Sequence, residues 1–211
     1  MRLRHVRGGR ALLEAHPQLI TLDAPALRGQ WRAWFPNPGP LHLEIGMGKG
    51  RFLTGLARQS PEVNHLGMEK FDSVAVRALQ RLQADPLPNV RLALACASTL
   101  DEAFAPGELD RIYLNFSDPW PKKAHAKRRL THPTFLERYR RALAPAGALH
   151  LKTDNRGLFE FTLLQLSQEN WRLERVSLDL HAQEPEDNVR TEYEAAFAAE
   201  GHPIYALVAR P

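Results

Sequence analysis

LHLEIGMGKGRF (residues 41–52) is the stretch whose reading decides the fold. LHLEI reads as a strand. It runs into Gly46, Gly48 and Gly50, and a helical stretch, Lys49 to Gln59, follows. Glycine suits such a turn because the backbone must reverse sharply and come close to whatever lies above it. The same rhythm continues along the chain. HLGME (65–69) reads as a second strand, and Phe71, Ala75, Ala78, Leu79 and Leu82 then recur at helical spacing. VRLAL (90–94) and RIYLN (111–115) read as strands three and four. Thr131 to Leu143 puts Phe135, Leu136, Tyr139, Ala142 and Leu143 on one helical face. ALHLKT (148–153) reads as a fifth strand and Gly157 to Glu169 as another helix. Trp171–Leu180 and Pro203–Ala209 close the chain as a hairpin with a loop between its arms. Strands alternating with helices predict an α/β fold: a doubly wound, mostly parallel sheet with an antiparallel C-terminal strand. Ligands of such sheets bind beyond the carboxyl ends of the strands, here at Gly46, Glu69, Cys96, Asn115–Asp118 and Asp154.

The 211 residues, 44% hydrophobic and 25% charged, suit one domain. Residues 1–40, which include WRAWFPNPGP (31–40), read as a basic, partly flexible lead-in to a domain over 41–211. No apolar run approaches the roughly 18 residues of a membrane span. The basic start MRLRHVRGGR lacks the apolar core of a secretory signal, and a single cysteine, Cys96, suits a reducing cytoplasm. The net charge is +4, with lysine at only six positions; three of these, Lys122, Lys123 and Lys127, lie in KKAHAKRR (122–129). Charge concentrated in this way predicts a polyanionic partner.

The glycine loop excludes two nucleotide-binding patterns. The G-x-x-x-x-G-K-[ST] of a phosphate-binding loop is absent, and Arg51 occupies the third position of a dinucleotide fingerprint. Glu44-x-Gly46-x-Gly48-x-Gly50 instead resembles motif I of S-adenosylmethionine-dependent methyltransferases. Glu69 ends the second strand, where a carboxylate can accept hydrogen bonds from both hydroxyls of a ribose. The plainer alternative is turn glycines beside a solvated acid. In RIYLNFSDPWPKKAHAKRRLTH (111–132), the fourth strand ends at Asn115. Prolines then stiffen a loop that carries Asp118 to the mouth of the cofactor cleft, and the basic run follows where phosphates would lie.

The segment from Leu41 to Leu180, together with Thr191–Glu194 and GHPIY (201–205), strongly resembles the bacterial tRNA (guanine-N7)-methyltransferases. LEIGMGKGRFL, GMEKFDSVAVRAL, RIYLNFSDPWPKKAHAKRRLTHPTFL, HLKTDNRGLFEF and VSLDLH carry the resemblance. It implies a Rossmann-like methyltransferase fold and transfer of a methyl group from S-adenosylmethionine to N7 of the variable-loop guanosine of tRNA, in the cytoplasm and with no obligate metal. It implies that Glu44, Gly46, Gly48, Glu69, Cys96, Ala97 and Asp118 line the cofactor site. Lys122, Asp154, Thr191, Glu192, Tyr193 and Glu194 would meet the substrate, and Ala124, His125, Ala126, Lys127, Arg128 and Arg129 would contact RNA. Cys96 departs from the family, which usually has an acidic residue beside the adenine; a thiol accepts hydrogen bonds weakly, so the contact to the adenine amino group is weaker or comes from backbone.

Guanine N7 carries a lone pair and no proton, so alignment rather than a general base is required. Asp118 is the expected catalytic carboxylate, stabilising charge that develops on the guanine, with Asp154 and Glu194 holding the base. Arg2, Arg4, Arg7 and Arg10 either extend the basic footprint or form a solvated tail. Tyr193 either stacks on a base or anchors the last loop. Trp31, Trp34 and Trp171 read as packing residues. Two rival functions remain open: an exocyclic-amine methyltransferase, because Asp118-Pro119-Trp120 is similar to that class's Asp/Asn-Pro-Pro-aromatic loop, and a non-catalytic RNA-binding module on the same fold. A nicotinamide oxidoreductase stands last, because Arg51 spoils its fingerprint.

Overall fold

A computed structural model describes residues 6–211. Eight strands form one sheet in the order β1-β4-β3-β2-β5-β6-β8-β7: β1 (Ile20–Thr21), β2 (Leu41–Ile45), β3 (Asn64–Glu69), β4 (Val90–Leu94), β5 (Leu109–Asn115), β6 (Leu143–Thr153), β7 (Arg172–Ser177) and β8 (Tyr205–Arg210). The pairings from β1 through β6 are parallel, and β8 runs antiparallel between β6 and β7. The expected doubly wound sheet with its antiparallel C-terminal strand is therefore present.

The helices are α1 (Gly9–Glu14), α2 (Arg51–Gln59), α3 (Asp72–Ala84), α4 (Leu100–Ala103), α5 (Pro133–Ala142), α6 (Arg156–Gln168) and α7 (Glu192–Ala199). One apolar layer joins α1, α2 and α3 through Leu13, Leu53, Ala57, Leu79 and Leu82. A larger layer on the other face joins Leu41, Leu43, Ile45, Ile112 and Leu114 to Phe135 and Tyr139 of α5 and Phe159 of α6. No helix among the described residues is long and apolar enough to cross a membrane.

The described part of the lead-in is more structured than its prolines suggest. Ile20 and Thr21 pair with Leu92 and Ala93 at the sheet edge. Trp31 is fully buried, donates its indole N–H to the Ala103 carbonyl at 2.7 Å and stacks on Phe104. The buried Glu108 carboxylate accepts the N–H groups of Gly29, Trp31 and Ala105. Trp31 is thus a packing residue, as read from the sequence. Arg10 pairs with Glu14, whereas Arg2 and Arg4 lie outside the described residues. Two boundaries differ from the reading. Leu143 is the first residue of an 11-residue strand rather than the end of a helix, and α7 lies within the expected loop.

Candidate active site

Strand register brings the candidate residues together. Glu44 lies beside Gly67 of β3 and Tyr113 of β5, so the ends of β2, β3 and β5 are level. The loop after β2 is clamped to its neighbour by the N–H groups of Gly46 and Met47, both donated to the Met68 carbonyl. Gly46, Gly48 and Gly50 all take positive φ. A Cβ at Gly46 or Gly48 would meet nothing within 4 Å, so the upper side of this loop is open space bordered by backbone.

Two carboxylates flank that space. Glu44 is almost fully buried; its Oε1 accepts from the Asn115 side chain at 3.1 Å, and its Oε2 has no partner. Burial pushes its pKa up to about 8, against the pull of Asn115 and Lys152. A buried carboxylate with an unsatisfied oxygen calls for a donor or a cation. Glu69 ends β3, where its Oε1 accepts the N–H groups of Lys70 and Phe71 at 2.8 and 3.1 Å. Burial raises its pKa, and these N–H groups together with that of Gly48 oppose the rise. Beyond β4, Cys96 is exposed and accepts from Ser98 Oγ at 3.1 Å, while Ala97 is buried at the start of a one-turn helix.

The loop after β5 is the most strained part of the cleft. Phe116 and Trp120 both have positive φ, 51° and 42°, which costs a bulky residue about 1–3 kcal/mol each. Between them Asp118 is exposed. Arg129 holds the loop in place: its guanidinium donates to the carbonyls of Pro119 and Trp120, both at 3.1 Å, and sits 4.3 Å over the Phe161 ring. Arg128 lies over Trp120, and His125 meets the same ring edge-on. Lys122, Lys123, Ala124 and Lys127 are exposed, and a 3-10 turn spans Lys123–Arg128. Of the expected RNA contacts, Arg129 is therefore already engaged by the protein, whereas Lys127 and Arg128 are exposed and take part in no ion pair among the described residues.

Thr191–Glu194 forms the opposite wall. Thr191 caps α7 through a capping box: its hydroxyl accepts the Glu194 N–H, and the Glu194 side chain accepts the Thr191 N–H. Each following residue reaches a different part of the cleft. Glu192 pairs with Lys49 of the glycine loop and Arg81 of α3, both at 3.2 Å. Tyr193 stacks between Phe116, beside the Asp118 loop, and Phe197. Glu194 is fully buried and accepts from Lys152 at 2.6 Å, His181 at 3.1 Å and Asn188 at 2.8 Å. Burial would raise the Glu194 pKa, but Lys152, Asn188 and His181 outweigh it and hold the carboxyl below the usual range. Lys152 also donates to Asn188 Oδ1 and the Val189 carbonyl. Asp154 is half-buried just past β6, next to Asn155, which caps α6.

Sequence reasoning passed over Lys49, Arg81, Lys152, His181 and Asn188. Lys152 carried a usable signal: a lysine within a strand of a doubly wound sheet needs an acid partner.

Residues 38–207 match the family model described as "Putative methyltransferase". The chain is 50% identical to the tRNA (guanine-N(7)-)-methyltransferase of an Exiguobacterium species, over 99% of this chain and 97% of that one. It is 49% identical to the enzyme of the same name from Listeria monocytogenes serotype 4a, over 100% and 98%. The chain belongs to the tRNA (guanine-N7)-methyltransferase family. Among solved structures, an antibiotic-related methyltransferase matches with a TM-score of 0.63 at 16% identity, covering 82% of this chain and 88% of that one; this likeness carries the fold. The cofactor of this methyltransferase is S-adenosyl-L-methionine, and the residues present fit it. The glycine loop leaves backbone-lined space, Glu69 offers a fixed acceptor, and Glu44 offers a buried oxygen without a partner to a cofactor that carries positive charge.

Proposed function

We propose that this enzyme methylates N7 of the variable-loop guanosine of tRNA, in the cytoplasm, and that Asp118 is its catalytic carboxylate. The observation that carries the reading is the Asp118 loop: an exposed carboxylate just past β5, flanked in sequence by the strained Phe116 and Trp120 and followed directly by exposed lysines.

S-adenosylmethionine supplies an electrophilic methyl group on a sulfonium sulfur. The chain's own residues bind, orient and stabilise. Gly46 and Gly48 would admit the cofactor against backbone, Glu69 would accept from its ribose, and Glu44 would face its positive end. Cys96 and Ala97 would border the adenine, with the Cys96 thiol a weaker acceptor than an acid. N7 of guanine attacks with its own lone pair, so no residue has to remove a proton. With the cofactor bound, the new N–C bond would form as the methyl–sulfur bond breaks, and positive charge would pass to the guanine ring. Asp118 faces that charge, an electrostatic contribution made only as the methyl moves. Thr191–Tyr193 and Asp154 hold the base. Glu194 acts from within the protein, because its acceptors are already occupied by Lys152, His181 and Asn188. Lys122, Lys123 and Lys127 neutralise phosphates and set the position of the RNA more than base identity.

The test is transfer of labelled methyl from S-adenosylmethionine to unmodified tRNA, followed by nucleoside analysis. Label in 7-methylguanosine, lost when the variable-loop guanosine is replaced, is expected. Label in N6-methyladenosine would move the reading to exocyclic-amine chemistry, and absence of label with tRNA still bound would leave an RNA-binding module.

A further inference from the structure

Side chains on neighbouring parallel strands usually face apolar helices on both sides of the sheet. Here the two faces differ. Leu41, Leu43, Ile112, Leu114, Leu149 and Leu151 build the core on one face. The alternate positions, which point to the opposite face, carry His42 of β2, His65 of β3, Arg111 and Tyr113 of β5, and His150 of β6. These residues line a cavity of about 180 Å³, closed on one side by α2 and by residues 185–189. A water occupies about 30 Å³, so this space is larger than a single trapped solvent site.

We propose that this cavity is a second ligand site, adjoining the active-site cleft at Asn115 and Lys152, that takes a small free oxyanion of phosphate size. His65 is 1% exposed, and neither of its ring nitrogens has a hydrogen-bond partner. A neutral imidazole always carries one N–H, and burying it without an acceptor is unfavourable. Burial, with the charge of Arg111 adding to it, keeps His65 at about 4 and His150 at about 3, so these rings act as neutral N–H donors. Arg111 and Arg175 line the same cavity and are exposed. Neither takes part in an ion pair among the described residues. Lys152, also on the lining, is taken by Glu194, and the lining holds a single carboxylate, Asp187. Two guanidiniums outside any ion pair, with the unpartnered His65 ring on the same lining, form an anion-recognising set. None of the basic segment 122–129 is on the lining, so a free anion suits the cavity better than an RNA phosphate.

The experiment is calorimetric titration of the full chain, without cofactor or tRNA, with inorganic phosphate at constant ionic strength in chloride. Saturable binding is expected. The double substitution R111Q/R175Q, at two exposed positions, should weaken it by about tenfold or more while leaving Tm and far-UV circular dichroism those of the parent, as expected for loss of charged hydrogen bonds. K123A/K127A should leave it within about twofold. No saturable binding at 20 mM phosphate, equal affinity in R111Q/R175Q, or loss that follows K123A/K127A instead would each overturn the proposal. So would competition between phosphate and tRNA accompanied by a raised KM for tRNA in R111Q/R175Q, which would assign the site to the RNA backbone. Because phosphate binding is read without methyl transfer, its failure leaves the methyltransferase reading untouched.

Discussion

The two walls of the cleft are built differently. The cofactor wall, at the ends of β2, β3 and β4, is made of backbone: Gly46 and Met47 are tied to Met68, and Glu69 is clamped by the N–H groups of the next two residues. The opposite wall, Thr191–Glu194, is held to the rest of the protein by side chains. These are Glu192 on Lys49 and Arg81, Tyr193 on Phe116, and Glu194 on Lys152. Strand register fixes the first wall wherever the sheet forms. The second depends on a few long-range contacts that can be removed one at a time. A methyltransferase that must admit a folded RNA and then align one base gains from this division, because only the second wall has to adjust.

The largest effect should come from the contact that most sets the walls apart. K152M leaves Glu194 buried without its cation, a loss of about 3–5 kcal/mol. Hydrogen exchange should rise across residues 180–199 and stay unchanged across 41–69; a uniform rise would abolish the distinction between the walls.

Glu44 sharpens the comparison from the cofactor side. Its pKa, pushed up to about 8, lies above the unfolded value of 4.5. The folded state therefore holds this proton more tightly, and stability from this group declines as pH rises from 4.5 to 8. E44Q should remove that decline, giving a higher Tm than the parent above pH 8 without cofactor, while cofactor binding weakens about tenfold. Parallel Tm–pH curves for the two proteins would contradict this.

Gly55 tests the second wall more gently. Alanine in a helix is ordinarily favoured by up to about 1 kcal/mol over glycine. A Cβ here, however, would lie 2.5 Å from the Val189 side chain. G55A should raise the KM for tRNA several-fold with little change in Tm; an unaltered KM would show that the 185–190 segment yields without consequence. The smallest effect belongs to K127A, which should weaken tRNA binding uniformly and reduce the slope of log affinity against log salt by about one. An unchanged slope would remove Lys127 from the phosphate contacts.

The same division explains what could be read beforehand. The cofactor wall was legible because glycines, strand ends and Glu69 are neighbours in sequence. Much of the second wall was not, since Lys152 and Glu194 are far apart and pairing of this kind leaves no periodic trace. Thr191-x-x-Glu194 did carry a local signal, the capping box that starts α7. The alternation of histidine with leucine in β2 and β6 likewise marked a sheet with one polar face. In the lead-in, β1 has two residues and therefore no pattern, and Trp31 finds its carbonyl partner 72 positions away.

Asp118 is where the walls meet, and the most direct measurement is the single-turnover rate of methyl transfer by D118A with saturating S-adenosylmethionine and tRNA. The account predicts a fall of about 10²–10³-fold, with tRNA affinity within about threefold of the parent. A rate close to that of the parent enzyme would contradict it.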